Sequence, residues 1–168
     1  MRPLLFFLII MLIPYGLKAA HDPTTMGARS IGFGNISAVG TAFYSLYHNQ
    51  AALAYYQKMT AAIDYDQVFF ADKSLSIKSA GFTLPTGFGT LGLSMRHFGN
   101  SLYHEQKIGL AYGKTLGKYL AIGVQLDYFR TFIGNDYGSA QALSFEIGFY
   151  SKLSEYLEIG AHIFNPIG

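Results

Sequence analysis

The 168-residue chain contains no cysteine. That excludes a disulfide framework, a thiolate metal site and a lipid anchor on a cysteine. Charge is scarce: Asp, Glu, Lys and Arg together make 13% of the chain, against about a quarter in soluble domains. A net charge of +2 supplies no basic field of the kind that binds nucleic acid. After residue 20 there is no apolar run approaching the roughly 20 residues of a transmembrane helix. What remains is greasy: 51% hydrophobic, 16% aromatic, with 19 glycines. One domain is the default at this length, and so apolar a domain either packs a large core or faces lipid.

The N-terminus reads as an export leader over 1–20. Arg2 gives a positive start, Leu4 to Ile13 is unbroken apolar, Pro14 and Gly16 interrupt it, and Ala19-Ala20 offer small residues for cleavage. The apolar run covers about half of a bilayer-spanning helix.

From about Met59 the pattern alternates with period two, the signature of strands. Leu120, Ile122, Val124, Leu126 and Tyr128 share one face; Ala121, Gly123, Gln125 and Asp127 share the other. Leu143, Phe145, Ile147 and Phe149 alternate with Ser144, Glu146 and Gly148 in the same way. The first face is large and apolar, whereas the second is small with isolated charges. A soluble sandwich would carry lysine, glutamate and threonine on its outer face. A small, sparsely charged face suits a barrel interior, which leaves the large face for lipid.

The pattern predicts seven strands near 59–70, 75–85, 88–98, 104–115, 118–131, 141–153 and 156–165. Their lengths fit tilted membrane strands of about nine to eleven residues better than globular strands of five or six. Connections are expected to alternate in size. Pro85–Gly87, Gly117-Lys118 and Ser154-Glu155 read as tight, and Phe132–Ala140, with Gly134-Asn135-Asp136, as the longest. Aromatic residues near strand ends (Tyr65, Phe69, Phe98, Tyr103, Tyr119, Phe132, Tyr137, Tyr156) fit interfacial girdles. Single-chain bacterial barrels have an even strand count, and an unpaired edge is not viable in lipid. The expectation is therefore an all-β antiparallel transmembrane barrel over 59–168, incomplete at the C-terminus.

Residues 21–58 have another texture. Gly27, Arg29, Gly32 and Gly34 lie in a glycine-rich stretch, an aromatic stretch follows over 42–47, and Asn49-Gln50-Ala51-Ala52-Leu53 comes next, with Asn49 placed to cap a short helix. The glycines lack the strand-before, helix-after setting of a nucleotide loop. This order resembles the N-terminal region of the FadL-like outer-membrane proteins, and within them the PorV/PorQ branch of the Bacteroidetes. Many members carry Asn-Pro-Ala-Gly-Leu where this chain has Asn49-Gln50-Ala51-Ala52-Leu53. The resemblance implies a barrel of about 14 strands with residues 21–58 as a hatch in its lumen, the hatch motif being Gly27, Arg29, Gly32, Gly34, Asn49, Gln50 and Leu53. It implies a passive channel for hydrophobic solutes, or an accessory or shuttle barrel of the type IX secretion system.

Candidate chemistry is thin. Alternation places Asp64, Asp66, Arg96, Glu105, Lys107, Asp127, Glu146, Glu158 and His162 on the lumen side, where they pair across strands or meet water. His21, His48, His97, His104 and His162 show no metal-ligand spacing, and no serine, histidine and acid are marked as a triad. The expectation is a protein of the outer membrane of a Gram-negative bacterium, not an enzyme, without cofactor or metal. Its partners would be outer-membrane lipid, with hydrophobic small molecules or secretion-machinery proteins, and no nucleic acid.

Overall fold

The computed structural model describes residues 26–68, 70, 72–135 and 137–166. The leader expected over 1–20, His21, Phe69 and Asp136 lie outside the described residues, as does the side chain of Arg29.

The alternating segments form seven strands: β1 (Thr60–Gln67), β2 (Ser76–Thr86), β3 (Gly89–Gly99), β4 (Tyr103–Leu116), β5 (Leu120–Ile133), β6 (Gly138–Lys152) and β7 (Glu158–Ile163). They pair antiparallel in chain order as one sheet, curled into half a barrel. Every pairing runs one-to-one without a bulge, so a face set on one strand is kept on the next. One cross-strand row reads Gly81, Ser94, Gly109, Asp127, Ser144; the adjacent row on the opposite face reads Phe82, Leu93, Leu110, Leu126, Phe145.

The two faces are buried in the reverse of the soluble order. Ser94, Gln125 and Asp127 are 3%, 1% and 1% exposed, while Leu93, Leu110 and Leu126 are 43%, 58% and 66% exposed. The large residues line the convex surface, and the small and ionic ones are covered.

Their cover is the N-terminal segment. It contains α1 (Ala28–Gly32), α2 (Ser45–His48) and a 3-10 helix (Gln50–Tyr55) lying on β4, β5 and β6. Leu46, Leu53 and Phe43 pack with Ala111, and Ala51, Ala52 and Ala54 pack with Ala121 and Tyr150. Close approach is possible because the concave positions beneath are glycine. A methyl on Gly123 would strike the backbone of Gln50 and Ala51; on Gly113, that of Gln50; on Gly148, the Asn49 side chain; on Gly160, the Ala38 carbonyl. Gly113, Gly123 and Gly148 stand side by side in one register row. Gly123→Val is therefore expected to lift the 3-10 helix and to cost about 1–3 kcal/mol through overpacking. Limited proteolysis should then cut within 26–58 faster than in the parent protein, with strand content by circular dichroism unchanged.

The connections differ from expectation. Thr131–Ile133 and Gly138–Ala140 continue the β5–β6 ladder, so that hairpin turns over 134–137 and is not the longest connection; 68–75 is. The 153–157 connection is no tighter than 100–102, which weakens the expected alternation of loop sizes. Phe98 and Tyr103 also depart from the girdle expectation. Phe98 pairs with Glu105 on the concave face, and Tyr103 donates its hydroxyl to the Glu105 carboxylate on that side. No helix among the described residues is long and apolar enough to cross a membrane.

Candidate functional site: a polar latch on the concave face

The N-terminal segment is held by a few directed polar contacts. Asn49 sits at the entry of the 3-10 helix, where its Oδ1 accepts from the Ala51 N–H at 3.1 Å. That is the capping role its sequence position suggests. Its Nδ2 donates to the carbonyls of Ala38 at 2.8 Å, Phe149 at 2.9 Å and Ala161 at 3.4 Å. One amide thus joins the segment to β6 and β7.

Gln50 supplies the second contact. Its Nε2 donates to Glu146 Oε2 at 2.7 Å, and both residues are fully buried. The same oxygen lies 3.0 Å from His162 Nε2. The other Glu146 oxygen is paired with Lys107 Nζ, which is also 3.4 Å from Asp127 Oδ1. Gln125 Nε2 donates to that Asp127 oxygen at 2.8 Å. The Lys107 ammonium lies 4.8 Å from the Phe164 ring centroid and 5.6 Å from that of Phe129, within cation–π range. Four strands, β4 to β7, all contribute to this network.

Of the lumen-side charges expected from alternation, Lys107, Asp127, Glu146 and His162 meet here. Asp64, Asp66, Arg96, Glu105 and Glu158 lie on the same face by register but outside the cluster. Arg96 stands beside Lys107 on β3, and Glu158 borders a cavity near His48. Of the motif residues, Leu53 is buried in the segment's core. Gly27 takes a positive φ of 85° where a side chain would strike the Tyr44 ring, while Gly32 and Gly34 face open space.

Two features escape sequence reasoning. His48 is buried, and its Nε2 accepts the Met26 N–H at 2.8 Å, which ties the start of the segment to α2. Burial pushes the imidazole down to about 4, helped by nearby His162 and opposed by Glu146. The sign follows directly. An unfolded histidine protonates below about 6.5, whereas the seated one stays neutral down to about 4. The seat should therefore lose stability as pH falls from about 6.5 to 4, and His48→Gln should flatten that dependence. Amide exchange of residues 26–56 against pH checks this. The second feature is His97 and His104. They lack a ligand spacing in sequence, yet their rings stand 5.3 Å apart on the convex side. No group of three His, Cys, Asp or Glu arranged for a metal occurs among the described residues.

A cavity of about 340 Å³ opens beside the latch. Phe33, Ile36 and Val39 line its apolar side and His48 and Glu158 its polar side. Its size is at the small end of ligand sites. Set against protein-family models, curated proteins and solved structures, the chain matches none of them.

Proposed function

We propose that the chain forms part of the wall and the plug of an outer-membrane β-barrel of the FadL-like, PorV/PorQ type, a passive channel for hydrophobic solutes. The inversion of the two sheet faces carries this reading. Convex leucines, isoleucines and phenylalanines in water would be a large unpaid hydrophobic surface; against hydrocarbon they are solvated. On β5 the apolar stretch Leu120–Tyr128 is about 27 Å long at ~3.3 Å per residue, or roughly 20 Å tall at a tilt near 40°, close to the ~25 Å apolar band of such barrels. In lipid every backbone group must be paired, so further strands would close the β1 and β7 edges.

The N-terminal segment is the hatch in this reading. Its directed polar contacts run through Asn49, Gln50 and His48, and its displacement would uncover the glycine-lined concave face. The cavity beside Phe33 and Ile36 then offers a first binding place for a small apolar solute. Vesicles containing the full-length protein should take up a hydrophobic solute faster than empty vesicles, and deletion of 26–58 should raise the rate further. Equal uptake with and without protein would count against the channel.

Exposed apolar residues at one end favour a second reading. Phe70, Leu102 and Tyr137, all in connections at that end, are 99%, 62% and 81% exposed. They suit docking of another envelope protein, as an accessory barrel of the type IX secretion system would require. Loss of a co-purifying partner in a Phe70→Ser, Tyr137→Ser variant would support it.

A further inference from the structure

The strand acids are confined to one face. All six strand acids, Asp64, Asp66, Glu105, Asp127, Glu146 and Glu158, lie on the concave face by register. The convex face carries charge only as Lys78, Lys114 and Arg130. Two of these share one row. Reading across β1 to β6, that row is Tyr65, Lys78, His97, Gln106, Arg130, Gln141. The next row toward the sheet centre is Ile63, Ala80, Met95, Ile108, Tyr128, Leu143. A polar, cationic line thus borders the apolar band directly, at the end that carries the 68–75, 100–102 and 134–137 connections.

The row is organised. Gln106 Nε2 lies 3.3 Å from His97 Nδ1, the His97 ring stands 5.3 Å from that of His104, and His104 stacks on Phe132 at 4.9 Å. Arg130 Nε is itself buried and lacks a hydrogen-bond partner among the described residues, whereas Lys78 on the same row is exposed. No carboxylate faces the row from the convex side of any strand. Its donors therefore point to an anion supplied from outside the protein.

We infer that this row binds the phosphate of a glycolipid headgroup in the leaflet that surrounds the barrel. The inference rests on the membrane-barrel reading above. Long cationic side chains at the edge of an apolar band reach toward the headgroup level, where a phosphate replaces their hydration. Arg130 offers a fork of donors and Lys78 a point charge on its far side, with Gln106 and His97 between them. Tyr65 and Phe132 give the aromatic rim that such a boundary favours.

The test uses the full-length protein in nanodiscs of phosphatidylcholine with a trace of lipid A, of dephosphorylated lipid A, or with inorganic phosphate alone. Retained lipid is counted by native mass spectrometry. The parent protein should retain phosphorylated lipid A preferentially. Lys78→Gln combined with Arg130→Gln should weaken retention about 30-fold, two surface charges being removed, while Lys114→Gln at the opposite end should not. Heat-modifiable gel mobility of each variant reports barrel integrity separately. An intact barrel that holds phosphorylated and dephosphorylated lipid equally would overturn the inference and leave the barrel reading standing. Inorganic phosphate binding as tightly as the lipid would overturn its lipid source. Absence of heat-modifiable mobility in the parent protein would overturn the barrel reading itself.

Discussion

Glu146→Ala should destabilise the protein by about 3–5 kcal/mol, the cost of leaving a buried ion without its partner. The carboxylate is fully buried and serves three neighbours at once: Lys107, His162 and Gln50. Its removal leaves the Lys107 ammonium beside Asp127, at 3.4 Å. It also removes the acceptor of the Gln50 amide, so the segment loosens together with the wall. Glu146→Gln keeps the volume and an acceptor and should cost less. Replacing the three buried ions together, Glu146→Leu with Lys107→Met and Asp127→Asn, should cost less than Glu146→Ala alone, because no member of the trio is then left as a buried charge without its counter-ion. Urea unfolding in detergent gives all three values. A change under 0.5 kcal/mol for Glu146→Ala would mean that the cluster is open to water and does not act as a latch.

Leu126→Arg is expected to cost about 2–4 kcal/mol or to block assembly into bilayers, because it places a cation at mid-height of the apolar band. Leu126 is 66% exposed, within a row of Leu93, Leu110 and Phe145. In water an exposed Leu→Arg change usually shifts stability by less than about 0.5 kcal/mol and improves solubility. The two environments thus predict different outcomes for the same substitution. Tyr137→Arg, in the 134–137 connection, is the matched control and should be tolerated. Folding yield into vesicles, followed by heat-modifiable mobility, separates the cases.

The sheet was legible in the sequence because its signal is local. Period two on β5, Leu120 to Tyr128 against Ala121 to Asp127, assigns faces without knowledge of any partner strand. The concave glycines could be read the same way, since Gly113, Gly123 and Gly148 alternate with large residues. The hairpin of β5 and β6 was less legible. Gly134-Asn135 signals a turn, and the poor strand formers Gly138, Ser139 and Ala140 extend the apparent loop. Pairing with Thr131–Ile133 overrides that propensity. The latch was half legible. Alternation put Lys107, Asp127, Glu146 and His162 on one side, but their meeting depends on register across four strands. Gln50 and Glu146 are 96 residues apart, and no spacing rule joins them. His48 gave no signal at all, because its role comes from a seat built by the Met26 backbone.

The central physical claim is that the convex face meets hydrocarbon while the concave face is enclosed. The natural absence of cysteine makes a single-cysteine scan clean. Spin labels placed one at a time from position 122 to 128 in vesicle-reconstituted protein should alternate: oxygen, which concentrates in lipid, relaxes labels at 122, 124, 126 and 128 far more than those at 123, 125 and 127. Labels at Leu126 and Val124 that respond instead to a water-soluble nickel chelate, as loop label Tyr137 should, would contradict the account.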